Sequence, residues 1–306
     1  MSRRPKSDYV SNNSALRRRA TFSRLSPYCL FVHTRPRLAI AQAVAVLMLA
    51  ACTNASGGDA TPRPASPPPP SPSDVFDGFD GPAGSRPNTK FWSYDLGNLS
   101  PDNHELQTYT DATANIRHDG NGHLIVQALK TPTGYTSGRL ITQGKIPILY
   151  GTVSARIKFP SGQGIWPAFW LLGSDIDTVG WPQCGEIDVM ELVNTGTTYN
   201  VTLHGPQGKS DYSTNGLSKT GLITDLSKDF HVYWVTRQPD SITIGVDGTA
   251  LADFTPSSLP EGATWVFNKP MYAVLNVAVG GDWPGPPDQS THFPATMLID
   301  WFRYTR

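Results

Sequence analysis

Glu186, Asp188 and Glu191 fall close together in the stretch CGEIDVMELV, residues 184–193. The residues around them, Ile187, Val189, Met190, Leu192 and Val193, are those of a buried strand. Charge in such surroundings is costly unless it has a task. Two carboxylates facing one substrate can divide the work of breaking a glycosidic bond. One attacks or stabilises the anomeric carbon, while the other gives and then takes back a proton. A third acid between them can share a proton and hold their pKa values apart. Two other uses fit the same residue types: clustered acids build calcium sites, and a solvated strand face carries inert ones. No Lys or Arg interleaves the three, which would leave an inert face self-repelling. A strand also spreads acids along a line rather than around an ion.

On a strand, alternate side chains face opposite sides. Glu186 and Asp188 therefore share a face, with Ile187 and Val189 on the other. Glu191 is five positions beyond Glu186, and regular alternation would turn it into the core. One inserted residue at Val189–Met190, a β-bulge, returns it to its acidic neighbours and puts Leu192 back inside. At about 3.3 Å per residue the two glutamate backbones stand more than ~10 Å apart. A concave sheet would lean their arms towards the separation of about 5 Å used by double-displacement enzymes.

GIWPAFWLL, residues 164–172, reads in the same way. Trp166, Ala168 and Trp170 share one face, and Pro167, Phe169 and Leu171 share the core-like other. Two indoles flanking a small residue leave room for a sugar ring. Its C–H face stacks on indole, whose N–H can reach a hydroxyl. The alternative is that both tryptophans are core.

The elements that must hold these residues are strands. TVSARIKF alternates Val153, Ala155, Ile157 and Phe159 with polar residues. SITIGVDG alternates Ile242, Ile244 and Val246 before Asp247-Gly248, a strong hairpin signal. HLIVQAL, FHVYWVTR, MYAVLNVAV and MLIDWFRY are strand-like in composition. No long helical periodicity interrupts them. Many short strands joined by turns predict an all-β double-sheet jelly roll over residues 75–306. Composition agrees: of 306 residues only 16% are charged, with 28 Gly and 27 Pro. Twenty-five basic residues balance 25 acidic ones, which gives no electrostatic footprint for nucleic acid. The three cysteines, Cys29, Cys52 and Cys184, form neither a disulfide framework nor a zinc spacing.

The chain opens differently. RPRLAIAQAVAVLMLAAC, residues 35–52, runs from arginines through an apolar stretch to small residues, the order of a secretory signal. The apolar stretch falls short of the roughly 20 residues of a membrane span. Its LAAC close resembles a bacterial lipoprotein signal. On that reading residues 1–51 are removed and Cys52 is the lipid anchor, giving an extracytoplasmic protein that is secreted or held at the cell membrane. A plain secretory signal with an incidental cysteine is the alternative. Residues 53–73 hold seven prolines and form, with Cys52, an extended spacer segment over 52–74. Cys184 is then left as a buried free thiol.

The E-x-D-x-x-E stretch resembles the signature of glycoside hydrolase family sixteen in its bulged, laminarinase-like form. So do NHELQTYT, YTSGRL, YGTVSARIKFPSGQGIWPAFWLLG, WPQCGEIDVMEL, TLHGP, VLNVAVGGDWPG and FPATMLIDWFRY, in family order over residues 76–306. The resemblance implies a concanavalin-like β-jelly-roll sandwich with a concave substrate cleft. It implies a retaining endo-1,3-β-glucanase whose partner is β-glucan polysaccharide. Glu186 matches the nucleophile, Glu191 the acid/base and Asp188 the assisting carboxylate. Trp181 and Trp283 match cleft-rim residues, and His204 a position near the acid/base. Asn103, Arg139 and Asn276 match positions that bind sugar hydroxyls or shape the cleft. No cofactor is required, but many relatives hold a structural calcium between the first segment and an acid of the last strand, here Asp300. The usual DEFDG reads Asp77-Gly78-Phe79-Asp80-Gly81 here, with glycine in place of the acid. Transglycosylation, cleavage of mixed-linkage glucan or galactan, and non-catalytic glucan binding remain the alternatives.

Overall fold

Strands that bury one face need a second layer to cover it, and this chain supplies two large sheets. The computed structural model describes residues 74–100, 103–208, 210–211 and 217–306. The leader over 1–51, Cys52 and the spacer up to 73 lie outside the described residues.

The ten-stranded sheet runs in the order Thr249–Phe254, Ser241–Val246, His231–Gln238, Gly151–Lys158, Ala295–Thr305, Leu124–Thr131, Gly134–Ser137, Gln107–Tyr109. Val75–Asp77 pairs beside Ala295–Thr305, and Ile116–His118 beside Leu124–Thr131. The seven-stranded sheet runs Ser218–Leu222, Thr198–His204, Glu186–Glu191, Ile165–Gly173, Met271–Val279, Arg139–Ile141, Ser93–Tyr94. The fold is a jelly-roll sandwich. Its one α-helical turn among the described residues is Ile176–Val179.

The core lies between the sheets. Val153, Ala155, Ile157, Tyr233, Val235, Ile242 and Ile244 enter it from the larger sheet, and Phe169, Leu171, Ile187, Val201, Leu203 and Leu275 from the smaller. Each large apolar side chain buried here contributes about 1.5–3 kcal/mol, and slipping a strand by one residue would turn its whole apolar set outward. The core therefore fixes the register that positions the outward residues. Arg237 helps from inside. It is wholly buried and donates to the carbonyls of Ile148, Phe267 and Lys269, which anchors the segments leading into Met271–Val279. Burial lowers its pKa to about 10, so it stays cationic at neutral pH.

Glu186–Glu191 departs from regular pairing where the residue count requires it. Asp188 lies opposite Trp170 on one side and Thr202 on the other, and Glu191 lies opposite Ala168 and Asn200. Val189 and Met190 thus share the space opposite single residues, Phe169 and Val201. Both are fully buried, as is Leu192. The extra residue is absorbed by the core, and Glu191 turns outward with Asp188 and Glu186. At the other end of the strand, Gly173 lets the returning loop come close. A Cβ there would lie 2.0 Å from the Cys184 carbonyl oxygen. Cys184 is free and buried as expected, and its thiol pKa is pushed up to about 11 by burial and then by the Glu186 charge.

On a regular strand position 190 would face outward with Glu186 and Asp188, whereas the bulge buries Met190. Met190→Asp therefore puts an unpaired carboxylate into the core, at a cost of about 3–5 kcal/mol. The variant is expected to lose that much in urea denaturation, or to accumulate unfolded. A Met190→Asp variant of wild-type stability would refute the role given to the bulge.

Candidate active site

Three carboxylates, one histidine and four tryptophans meet on the outward face of the seven-stranded sheet. Asp188 is buried and Glu186 partly exposed. The neighbouring strand brings His204, whose Nε2 lies 3.0 Å from Asp188 Oδ2 and 3.8 Å from Glu186 Oε1. That Asp188 oxygen is buried and makes no aligned hydrogen bond. His204 also acts electrostatically on Glu191, the acid/base position of the resemblance. Glu186, Asp188 and His204 offer three donor atoms within 4.8 Å of one another. Three donors, one of them nitrogen, fall short of the six to eight oxygens of a calcium site.

Glu191 is only 7% exposed. Burial holds its carboxyl well above the usual range, and the charge of Asp188 adds to the effect. A hydrogen bond from Trp166 and the charge of His204 oppose it. One acid of the set is thereby suited to carry a proton near neutral pH.

The tryptophans do not behave as a simple pair of platforms. Trp166 Nε1 donates to Glu191 Oε1 at 2.8 Å, and Trp170 Nε1 donates to Asn276 Oδ1 at 2.7 Å. Each indole has a single donor, and here both N–H groups are engaged within the protein. The reason is burial, because a half-covered polar atom takes whichever acceptor the fold offers. Trp170 is further held by Arg139, whose guanidinium lies 4.7 Å from the ring centroid and whose Nε sits 3.1 Å from Asp95 Oδ2. Asn276 is 6% exposed and spends its other end on Tyr109, donating from Nδ2 to the phenol oxygen at 2.9 Å. Arg139 and Asn276 thus shape the wall rather than offering open polar groups. Asp95 and Tyr109 complete this wall; Tyr109 belongs to the NHELQTYT stretch, whereas Asp95 falls in none of the quoted motifs.

Exposed indoles flank the acids. Trp181, 49% exposed, packs against His204 at the Glu186 end, with ring centroids 5.8 Å apart. Trp283, also 49% exposed, sits edge-on to Trp166 at the Glu191 end, 5.3 Å away at 82°. Asn103 braces the loop of Trp283. Its carbonyl accepts from Asp282 N at 3.0 Å, and its amide donates to Glu105 Oε1 at 3.0 Å. Two hollows elsewhere, of about 460 and 520 Å³, contain none of these acids.

The sequence profile of glycosyl hydrolases family 16 matches residues 102–303, which include all three acids, His204 and the four tryptophans. The chain belongs to glycosyl hydrolase family 16. It is similar to a β-glucanase of Rhodothermus marinus, at 36% identity over 72% of this chain and 80% of that one. The solved endo-β-1,3-glucanase of Pyrococcus furiosus superposes with a TM-score of 0.68 at 40% identity, covering 75% of this chain and 92% of its own. The laminarinase catalytic domain of Thermotoga maritima gives 0.67 at 38%, covering 75% and 96%. The chain is a glycoside hydrolase.

The side chains that the resemblance links to a structural calcium make protein contacts here. Asp300 stands at a second bulge, between Ile299 and Trp301, and Arg156 Nη1 lies 2.8 Å from its Oδ2. The guanidinium gives that carboxylate a cationic partner. Asp77 accepts from Trp92 Nε1 at 2.9 Å and from Phe79 N at 3.1 Å. No cluster of three His, Cys, Asp or Glu among the described residues includes Asp300. No step below involves the ion.

The raised carboxyl of Glu191 has a consequence for stability. The folded chain holds that proton more tightly than the unfolded chain, so stability falls as pH rises through the unfolded value, about 4.3. Glu191→Gln keeps an acceptor for Trp166 and removes the charge. Its thermal midpoint should exceed that of wild type at pH 7, and the gain should vanish below about pH 4. A variant less stable than wild type at pH 7 would contradict this.

Proposed function

We propose that this hydrolase cleaves internal β-1,3 linkages of β-glucan with retention, by double displacement. The observation that carries the reading is the bulge at Val189–Met190. It sets a buried carboxyl that favours its proton, Glu191, on the same face as the more accessible Glu186.

In the first step a Glu186 oxygen attacks the anomeric carbon. The glycosidic C–O bond breaks, its electron pair stays with the leaving oxygen, and Glu191 supplies that oxygen's proton. In the second step Glu191 takes a proton from water as that water attacks the same carbon. The ester bond to Glu186 breaks, and both carboxyls return to their starting states. Asp188 lies between them with His204 against it, so its charge keeps Glu191 protonated until the proton is needed. Trp181 and Trp283 supply exposed indole faces for sugars on either side of the scissile bond. The β-1,3 preference draws on the relatives, which are named as β-glucanase, endo-β-1,3-glucanase and laminarinase. The leader and Cys52 support delivery beyond the cytoplasm on a lipid anchor, with the Pro-rich spacer holding the hydrolase away from the membrane.

With laminarin the full chain should release short oligosaccharides whose new reducing ends are β when first formed, as read by NMR; α ends would overturn the mechanism. Glu186→Gln should abolish turnover with little change in stability. Glu191→Gln should lose about 10²–10⁴-fold in rate. Cys52→Ala should move the enzyme from the membrane fraction to the soluble fraction of its host, and unchanged partition would refute the anchor.

A further inference from the structure

Trp166 reaches Glu191 from the adjacent strand, Ile165–Gly173. Its one polar group, Nε1–H, is a donor with no lone pair to offer. It lies 2.8 Å from Oε1 of Glu191. A protonated carboxyl has one carbonyl oxygen and one hydroxyl oxygen, and the carbonyl oxygen is the better acceptor. A donor-only partner therefore selects the oxygen that does not hold the proton. We propose that Trp166 is a positioning residue that decides which oxygen of Glu191 transfers the proton: Oε1 is held as acceptor, and Oε2 carries the acid hydrogen to the leaving group. This rests on the reading of Glu191 as the acid/base.

Two further observations support it. Trp283 packs edge-on against Trp166, at 5.3 Å and 82°, so the indole is braced from the solvent side. The other charged groups acting on Glu191 are Asp188 and Glu186 from its own strand and His204 from Thr198–His204. On the Trp166 strand, the residues of that face are Trp166, Ala168 and Trp170, none of them charged. Trp166 is thus the group on its side that stabilises the ionised form. As the proton leaves Oε2 for the glycosidic oxygen, the N–H···Oε1 bond becomes charge-assisted and strengthens. An interaction that grows along the reaction lowers the barrier rather than merely binding substrate.

Trp166→Phe keeps the ring and removes the donor. The carboxyl of Glu191, followed by NMR of isotope-labelled glutamate in the full chain without substrate, should titrate at higher pH than in wild type. An unchanged midpoint would overturn the proposal. On laminarin, the alkaline limb of kcat/KM should move to higher pH, while the plateau falls about 10–100-fold, a part of what a positioned acid contributes. With a dinitrophenyl β-glycoside, whose leaving group needs no proton, the loss in the first step should nearly disappear. An equal loss on both substrates would mean that Trp166 acts by packing alone. A chain that shows the NMR shift but no activity on laminarin would sink the glucanase reading and leave the placement of the proton standing. If Trp166→Phe does not fold, Trp283→Ala carries the test at an exposed position. A smaller upward shift is expected there, and no shift would overturn the proposal.

Discussion

Neighbouring residues of a regular strand cannot both face the core, yet Val189 and Met190 do. The sandwich interior claims both, and the backbone yields by one residue opposite Phe169 and Val201. Everything chemical on the outer face follows from that concession. Without it the strand would present two acids outward and bury the third. With it, a single strand delivers three carboxyls to one face without recruiting residues from distant loops. The inner face therefore enforces the geometry of the outer one. Core residues that never meet a sugar, such as Met190 and Phe169, set where the reacting groups stand.

The environments of the acids differ although their chemistry is the same. Glu186 is partly open and has His204 near it. Glu191 is covered, faces the charge of Asp188 and takes one hydrogen bond from an indole. Opposed environments of this kind push two carboxyls into two roles. The cost appears as lost stability near neutral pH, which the core of a large sandwich can offset. The wall behind the site is a chain of contacts: Asp95 lies against Arg139, Arg139 over the Trp170 ring, Trp170 on Asn276 and Asn276 on Tyr109.

Much of this was legible from spacing alone. Period-two alternation identified the main strands, and counting from Glu186 to Leu192 located the bulge, because the core pattern is self-consistent with one extra residue and inconsistent with none. The tryptophans were legible as residents of that face but not in their bonds. An N–H chooses among acceptors that only the folded sheet brings near, and the 25 positions between Trp166 and Glu191 hide the contact. Tyr109 meets Asn276 across a sequence distance of 167, and Arg156 meets Asp300 across 144. Neither pairing leaves a mark in local spacing, because the partners sit on different strands.

The central claim is that one strand face holds two carboxyls with different roles. Azide rescue of the two truncated acids tests it most directly. Azide replacing the side chain of Glu186 in Glu186→Gly should attack from the vacated face and give an α-glycosyl azide. Azide acting in Glu191→Gly should instead open the glycosyl-enzyme and give the β-glycosyl azide, from a substrate with a good leaving group. The account predicts these opposite anomers. The same anomer from both variants, or the reverse assignment, would contradict it.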